Sequence, residues 1–502
     1  LCHLAGRLPQ GYGVERVFFP AQLTSSLKQR LLENLSNMSA ACQCFTTPAT
    51  VPNLNVGRRG NHVRLTPGHR RVIPRAVQEG EIRKGSIKEI PEIHAELPFA
   101  PELWTTFFEK YWQKEPVVIR GGLPTELCTP VNNDELAGLA CETEFRPRII
   151  RKGDEGPSSW SLQMGPFSED ELESLPSDGS WCLLLNDLEK HVSEFMDVLN
   201  LFDRFPRWRV ADVQASISSD GGSVGAHSDQ FDVFLIQGTG HKRWSISDCA
   251  EYVPDNDEAF FPDAEVRVLK NFQPQSCSLL KQGDILYLPP KVAHHGVAEC
   301  CKTICTTFSV GFLAPAHDEL VLSYAQASVD THDGSQRWRD PWLKPQEHVG
   351  EISSEAVAQA AEIIRQSMPK NDAEIACWFG CHATQSFGID PSETIPAKDL
   401  SADELVVQFA EEGSLQRRAD AKFAFVQEVK DGSLEGGLFF AAGNMWPLQS
   451  AAGMELARHI ANYDEIIADD WIESGDAAEY DMDSEAKTLL HELFSSGLIY
   501  FS

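Results

Sequence analysis

The sequence lacks any hydrophobic run long enough to cross a membrane. None of its apolar stretches approaches the roughly 18 consecutive residues that a spanning helix requires, and we expect a soluble chain. Basic residues are comparatively few, since 43 Lys and Arg stand against 74 Asp and Glu and give a formal net charge of −31. Such an acidic chain repels nucleic-acid phosphates and attracts basic partners, or is simply kept soluble by its charge. We expect neither a membrane segment nor direct nucleic-acid binding.

The close cysteine spacing of a small disulfide-rich secreted domain is also missing. The 13 cysteines are an odd number scattered over 502 residues, which favours a reduced, intracellular compartment. Small cysteine clusters occur at 300–305 and 377–382, but neither offers the two closely spaced pairs that zinc prefers. No dinucleotide fingerprint, phosphate loop or Ser/His/Asp elbow is present either. These absences exclude several common enzyme classes and leave the role of the cysteines open.

The basic residues that do occur are concentrated at the N-terminus. Residues 1–75 contain ten Lys and Arg but only two acidic residues, so residues 76–502 carry a net charge of −39. An Arg-rich, acid-poor segment with scattered Ser and Thr is typical of an organelle transit segment, and a disordered basic tail is the alternative. Because the chain begins at Leu1, we expect translation to start either upstream or at Met38. The predicted location is a chloroplast or mitochondrion, and otherwise the cytoplasm.

Beyond this segment, the pattern of apolar residues divides the chain into units. Residues 76–96 alternate charges without a hydrophobic period and predict a linker, whereas Leu103–Trp112 predicts a helix and Pro116–Arg120 a short buried strand. From about 180 to 315, short apolar runs between turn residues predict the strands of a sandwich or barrel. These runs are Val213–Ser218, Val233–Gln237, Arg243–Ile246, Ile285–Leu288 and Thr303–Phe312.

The pattern becomes helical after Pro315. One predicted helix carries an apolar stripe along one face and ends before Pro369. The stripe consists of Val357, Ala360, Ala361, Ile364 and Met368. A third unit of mixed type begins near residue 376, with strands predicted at Phe423–Val426 and Gly437–Ala441 and helices at 449–468 and 484–496.

A short motif in the predicted barrel has the chemistry of a metal site. His227 and Asp229 are two residues apart, so on an extended strand both side chains project from the same face. A third donor would complete a facial triad of two histidines and one carboxylate, the arrangement that leaves three positions open on Fe(II). His294 is the candidate, because a strand ending in Pro289-Pro290 and a short turn would return it to the mouth of the barrel.

The surroundings of this motif resemble a known family. The segment Gly221–Trp244 (GGSVGAHSDQFDVFLIQGTGHKRW) closely resembles the JmjC-type ribosomal oxygenases, and among them the bacterial type that hydroxylates an arginine of a large-subunit ribosomal protein. Further segments match in family order, namely Phe107–Gly122, Phe205–Arg209, Gly283–His294 and Phe308–Phe312. The resemblance extends from about residue 97 to residue 502.

The resemblance implies an α+β fold built around a JmjC/cupin double-stranded β-helix. After the presequence at 1–75 and the linker at 76–96 that composition predicts, the resemblance implies the catalytic barrel at 97–315, a helical dimerisation segment at 316–372 and a winged-helix-like C-terminal domain at 373–502. A homodimer follows from the helical dimerisation segment.

The resemblance also implies roles for individual residues. His227, Asp229 and His294 correspond to the iron ligands, whereas His295 stands where the bacterial relatives usually have an acid and is not expected to be a ligand. Lys242, fifteen residues after His227, occupies the position of the basic residue that holds the far carboxylate of 2-oxoglutarate.

Two further residues are candidates with open alternatives. Ser216, on the strand before the glycine loop, is either a hydroxyl contact of the cosubstrate or a hydrogen-bonded serine of the barrel interior. Asp220 lies next to the metal strand and would receive a substrate guanidinium, or it is simply a turn-forming residue before Gly221-Gly222.

The predicted function is therefore an Fe(II)- and 2-oxoglutarate-dependent dioxygenase that uses O₂ to hydroxylate a basic ribosomal protein of the large subunit, on an arginine side chain. Histidine hydroxylation of a ribosomal protein and histone lysine demethylation use the same metal chemistry and are alternatives. A catalytically silent JmjC scaffold that binds basic proteins is the alternative from a different functional class.

Overall fold

The structure is a computed structural model. It describes residues 87–176, 180–248, 257–299, 304–330, 336–385, 400–430, 432, 434, 436–474 and 480–501. The basic segment 1–75 and its expected transit peptide lie outside the described residues, as do Cys300 and Cys301. Within the described ranges, no helix has both the length and the apolar character needed to cross a bilayer.

The part of the chain up to residue 312 contains most of the strands. They are β1 (Lys88–Glu89), β2 (Glu92–His94), β3 (Val117–Arg120), β4 (Arg148–Lys152), β5 (Trp160–Met164), β6 (Trp181–Leu185), β7 (Val210–Ser218), β8 (Asp232–Gln237), β9 (Lys242–Ile246), β10 (Ser276–Leu280), β11 (Ile285–Leu288), β12 (His294–Ala298) and β13 (Cys305–Phe312). The helices of this part are α1 (Pro101–Lys110), α2 (Asn133–Leu139), α3 (Glu169–Glu173), α4 (Leu188–His191) and α5 (Glu194–Asn200).

These strands form two sheets that face each other. The larger sheet has the order β2-β3-β11-β8-β13-β7-β6-β4-β5, and the smaller has the order β1-β10-β9-β12. Apolar side chains from both sheets make one cluster, in which Val233 and Leu235 of the larger sheet pack with Trp244 and Ile246 of the smaller. This double layer is the predicted barrel. Strands β9 and β12 of the smaller sheet direct alternate side chains into its interior.

The outer face of the larger sheet is covered by α1. Trp104, Phe107 and Tyr111 are spaced three and four residues apart, so they lie on one face of the helix and are all buried. The Phe107 ring stacks on Phe234 of β8 at a centroid distance of 5.8 Å and meets Tyr287 of β11 edge-on at 5.2 Å. Strands β8 and β11 are thus buried on both faces, which is why they appear as continuous apolar runs.

Part of the expected linker belongs to the sheets. Strand β1 pairs in parallel with β10, and β2 pairs in parallel with β3. These strands are only two and three residues long and mostly exposed, so they have no hydrophobic period that sequence analysis could detect.

The remaining chain contains helices and small sheets. The helices are α6 (His317–Asp330), α7 (Ser354–Gln366), α8 (Asp372–Ala383), α9 (Ala402–Glu412), α10 (Ala451–Asn462) and α11 (Ser484–Ser495). The strands are β14 (Ser414–Arg417), β15 (Phe423–Val426), β16 (Gly437–Ala441), β17 (Asn444–Leu448), β18 (Glu465–Ile467), β19 (Glu473–Ser474), β20 (Tyr480–Asp481) and β21 (Ile499–Phe501). Helices α9, α10 and α11 share a second hydrophobic core with the sheets β18-β14-β21 and β15-β16-β17.

The helix predicted over 449–468 ends earlier than expected. Helix α10 stops at Asn462, and Glu465–Ile467 instead pairs with β14. Asp464 lies between them and accepts hydrogen bonds from Arg417 of β14 and from Arg207, which belongs to the barrel unit. The ion pairs of Asp464 therefore favour a chain reversal at this point, and they connect the two units.

Candidate metal and cosubstrate site

The three predicted metal ligands lie together in the structure. One potential ligand atom from each of His227, Asp229 and His294 can be chosen so that all three lie within 4.8 Å of one another. Backbone hydrogen bonds join the two histidines, from His227 N to His294 O at 3.0 Å and from His294 N to His227 O at 2.8 Å. This bridge sets both imidazoles side by side, with ring centroids 4.2 Å apart.

The turn between β11 and β12 brings His294 to this position. After Leu288, the two prolines cannot continue the strand ladder, and Lys291 adopts a left-handed backbone conformation with φ of 66°. The Lys291 amide donates to the Asp229 carbonyl oxygen at 2.7 Å, which ties the turn to the other half of the triad. The return of His294 to the barrel mouth is therefore as the sequence predicted.

Hydrogen bonds indicate which imidazole nitrogen of each histidine carries a proton. Nδ1 of His227 lies 2.9 Å from the Gly225 carbonyl oxygen, and Nδ1 of His294 lies 2.9 Å from that of Val292. A carbonyl oxygen only accepts, so both Nδ1 atoms carry a proton, and in the neutral imidazole Nε2 then keeps the lone pair. These Nε2 atoms lie 4.0 and 3.6 Å from the Asp229 carboxylate oxygens. Such second-shell contacts orient histidines for metal binding.

The electrostatics of the triad also fit a metal ion. Burial raises the pKa of Asp229, although the neighbouring His227 opposes the shift, and burial lowers the pKa of His294 well below its ordinary value. A desolvated carboxylate is stabilised by a nearby positive charge, which a divalent cation would supply. Two imidazole nitrogens and one carboxylate oxygen are the donor set of mononuclear non-haem Fe(II) sites.

Lys242 and Ser216 are brought together on the inner side of the barrel. The Lys242 side chain is buried, with the residue 3% exposed, and its ammonium donates to Ser216 Oγ at 2.8 Å. Among the described residues, no carboxylate lies within ion-pair distance of this ammonium. A buried cation without a counter-ion is unfavourable unless an anion occupies the neighbouring space. The pair is consequently suited to binding a ligand carboxylate.

Trp244 belongs to this region, and sequence analysis missed it. It follows Lys242 by two residues on β9, so both side chains enter the barrel from the same face. The indole ring centroid lies 5.4 Å from the Lys242 Nζ atom and 5.8 Å from the His294 ring centroid. Sequence analysis could have identified Trp244, because residues two apart on a strand share a face and Trp244 is two residues after Lys242.

Asp220 and His295 are not part of the metal group. Asp220 is exposed in the turn after β7, where Gly221 has a φ of 76° and donates its amide hydrogen to Ala298 O. This geometry fits the alternative that Asp220 is a turn-forming residue. Its carboxylate is nevertheless exposed and accessible to a substrate. His295 is next to His294 on β12, but its ring lies against Phe272, at 6.1 Å, and burial lowers its pKa to about 4.

Comparison with known proteins places this site in a family. The sequence profile of the JmjC domain matches residues 197–320. The ribosomal protein uL16 3-hydroxylase of Escherichia coli is 31% identical over 284 residues, which are 56% of this chain and 72% of that protein. A probable ribosomal oxygenase of Haemophilus influenzae is 34% identical over 219 residues, or 43% of this chain and 50% of the relative.

Solved structures agree with these relatives. An X-ray structure of E. coli YcfD superposes with a TM-score of 0.65 and 27% identity, covering 82% of this chain and 100% of that one. The E. coli ribosomal oxygenase YcfD in complex with cobalt and 2-oxoglutarate gives a TM-score of 0.63 and 28% identity, with 81% and 99% covered. The mixed α+β architecture with a JmjC/cupin-like barrel is thereby confirmed. The chain belongs to the JmjC-domain ribosomal oxygenases, and it is an enzyme of the 2-oxoglutarate-dependent oxygenase class.

Proposed function

We propose that this chain is an Fe(II)- and 2-oxoglutarate-dependent hydroxylase of a large-subunit ribosomal protein, acting on an arginine side chain. The observation that carries the proposal is the group of His227, Asp229 and His294, whose potential ligand atoms lie within 4.8 Å of one another in a barrel that also buries the ammonium of Lys242. The relatives' activity on a ribosomal protein and the cobalt and 2-oxoglutarate bound by E. coli YcfD support it.

In the proposed site, Nε2 of His227, Nε2 of His294 and the carboxylate of Asp229 hold the iron, and the remaining positions are left to ligands. The metal, when bound, supplies the activation of dioxygen, with 2-oxoglutarate as the co-reductant. The chain itself supplies orientation. The Gly225 and Val292 carbonyls hold the imidazoles in one tautomer, and the apolar cluster between the sheets excludes water from the interior.

The proposed cosubstrate contact is the ammonium of Lys242. Its position is held by the β9 backbone, which pairs with both β10 and β12, and by the hydrogen bond to Ser216 Oγ. A ligand carboxylate at this point would replace the missing counter-ion and accept from the ammonium and the serine hydroxyl together. Two residues on different sheets would thus define the far end of the cosubstrate.

Substrate choice rests on charge. An arginine side chain needs an acidic acceptor, and exposed Asp220 in the turn after β7 is the proposed candidate. The acidic surface of the chain favours a basic protein over nucleic acid. Histidine hydroxylation would use the same triad, so the residue type must be decided by experiment, and the intact triad argues against a silent scaffold.

The test is hydroxylation of a defined substrate. The iron-loaded protein, 2-oxoglutarate and a recombinant uL16-type ribosomal protein are incubated in air or in ¹⁸O₂, and the product is analysed by tandem mass spectrometry. We expect one added oxygen atom on an arginine and formation of succinate. Oxygen on a histidine would contradict the arginine assignment, and no 2-oxoglutarate turnover with any basic ribosomal protein would contradict the proposed activity.

We further propose that residues 316–372 form a homodimer interface. The stripe residues Val357, Ile364 and Met368 are 58%, 59% and 52% exposed within one chain, and Val321 and Leu322 of α6 are also exposed. Exposed apolar surface of this extent marks an interaction site. A two-fold dimer covers the same face on both copies, which makes a second copy the simplest partner.

The C-terminal unit, with α9, α10 and α11 on small sheets, is proposed to be winged-helix-like.

Localisation remains a proposal from the sequence. The Arg-rich segment 1–75 is proposed to direct the chain to a chloroplast or mitochondrion. A fluorescent fusion carrying residues 1–96 is expected to enter the organelle, whereas a fusion starting at residue 97 is not. Retention of both fusions in the cytoplasm would favour the basic-tail alternative.

A further inference from the structure

Trp244 has a buried polar group that its own chain does not use. The residue is 4% exposed, and within the part of the chain that the structure describes, no acceptor lies within hydrogen-bond distance of its indole Nε1. An unmade hydrogen bond at a buried donor is unfavourable. A bound ligand that accepts from this N–H would remove that cost.

The orientation of the indole ring is set by a glycine. Gly296 of β12 lies opposite Trp244 of β9 in the strand register. A Cβ atom at residue 296 would lie 2.6 Å from Cη2 and Cζ3 and 2.8 Å from Cε3 of the indole, so only glycine admits the ring here. These three atoms form the far edge of the six-membered ring. The N–H edge is on the other side of the indole and so points away from Gly296.

Two groups of the proposed site lie next to this ring. The ammonium of Lys242 lies over the ring at 5.4 Å from its centroid, and the imidazole centroid of His294 lies 5.8 Å from it. The indole is therefore a neighbour of both the proposed carboxylate contact and one proposed metal ligand. A carboxylate has two oxygens, so it can accept from the ammonium and from the indole N–H together.

We propose that the indole N–H of Trp244 donates a hydrogen bond to the carboxylate of 2-oxoglutarate that Lys242 holds. Trp244 is then a cosubstrate-positioning residue in addition to a wall of the barrel. The inference rests on the proposed function, because it takes 2-oxoglutarate as the ligand of this site. The carboxylate would then have three contacts, namely the Lys242 ammonium, the Ser216 hydroxyl and the Trp244 indole N–H, which is on the same strand face as Lys242.

The first test measures binding without turnover. The affinity of Zn(II)-loaded protein for 2-oxoglutarate is determined by isothermal titration calorimetry for the wild type and for Trp244→Phe, which keeps an aromatic ring but removes the donor. We expect roughly ten- to a hundredfold weaker binding in the variant, as for loss of a hydrogen bond to a charged group. Trp104→Phe is the matched control, because Trp104 is equally buried and its Nε1 also lacks an acceptor among the described residues, but it lies on α1. Its affinity is expected to equal that of the wild type.

The second test observes the N–H group directly. In ¹⁵N-tryptophan-labelled, Zn(II)-loaded wild type, the indole resonance of Trp244 is assigned by its contacts with Gly296, so the test does not depend on the folding of a variant. We expect this resonance to move downfield when 2-oxoglutarate is added, while that of Trp104 stays in place. An unmoved resonance in protein that binds 2-oxoglutarate, or a Trp244→Phe affinity within twofold of wild type, would overturn the inference alone. A wild type that does not bind 2-oxoglutarate would overturn it together with the proposed function.

Discussion

At the scale of single residues, the function depends on a few side chains whose neighbours determine their chemical state. Nε2 of His227 and His294 is available to a metal only because a backbone carbonyl accepts from Nδ1 of each ring. Lys242 differs from an ordinary surface lysine in that it is buried beside a serine hydroxyl rather than a carboxylate. The residue types alone do not carry this information, since the chain contains 15 histidines.

Asp229→Ala is expected to abolish 2-oxoglutarate turnover and to reduce the bound iron, because one of three ligands is lost. Metal content after dialysis and succinate formation are the measurements. His295→Ala is the control, since His295 adjoins the triad in sequence but lies outside the group of ligand atoms. Full activity and full iron content in Asp229→Ala would contradict the triad, and so would equal losses in both variants.

Lys242→Ala is expected to raise the KM for 2-oxoglutarate by roughly ten- to a hundredfold and to change the KM for the protein substrate much less. The reason is the loss of a buried charge-assisted contact worth about 1.5–3 kcal/mol. Arg243→Ala is a matched control one residue further along β9, because Arg243 points away from the interior and pairs with Glu299 at 2.7 Å. If the KM for 2-oxoglutarate rises less than threefold in Lys242→Ala, another group binds that carboxylate.

At the scale of elements, the sequence predicted the helices and strands whose buried faces require apolar residues at regular spacing. Helix α1 and strands β8 and β11 were recognisable because packing on one or both faces requires apolar residues at a fixed spacing. The edge strands β1 and β2 were not, since they are short and exposed. Trp244 was not recognised for a different reason, because an aromatic residue on a barrel strand fits the core and only the structure shows its ring beside Lys242 and His294. The triad was predictable because its three residues lie in segments that resemble the family.

Helix α7 provides a test of the proposed dimer. Ile364→Asp places a charge in the exposed apolar stripe and is expected to convert the dimer to a monomer, since burying an unpaired carboxylate in an interface is strongly unfavourable. Gln366→Glu adds the same charge two residues away, off the stripe, and is expected to leave the dimer intact. Light scattering distinguishes the two states, and a mass near 55.7 kDa for the unmodified protein would exclude the dimer.

Asp464 contributes ion pairs to the contact between the barrel and the C-terminal unit. Its carboxylate pairs with Arg417 at 2.5 Å and with Arg207 at 3.1 Å, and burial lowers the pKa of Arg417 to about 10. Asp464→Ala is expected to destabilise the C-terminal unit by about 1–3 kcal/mol, because it leaves a buried guanidinium without its counter-ion. Arg207→Ala removes a more exposed partner and is expected to cost at most about 1 kcal/mol. Denaturant unfolding measures both, and equal effects would contradict this assignment.

At the scale of the whole molecule, the charge distribution separates two kinds of ligand. The −39 charge of residues 76–502 acts through solvent on a basic protein that approaches the surface. The cosubstrate, by contrast, would bind at a single buried cation inside the barrel, where dissolved salt has little access. The two ligands should therefore respond differently to ionic strength.

We expect kcat/KM for the basic protein substrate to fall about tenfold when the salt concentration rises from low to several hundred millimolar, because screening removes the long-range attraction that accelerates encounter. The KM for 2-oxoglutarate, measured in the same series at saturating protein substrate, is expected to change much less. A substrate peptide whose basic residues flanking the target arginine are replaced by glutamine serves as the control, and its kcat/KM should be nearly independent of salt. Equal salt dependence for the native and the neutralised peptide would show that the acidic surface plays no part in substrate capture.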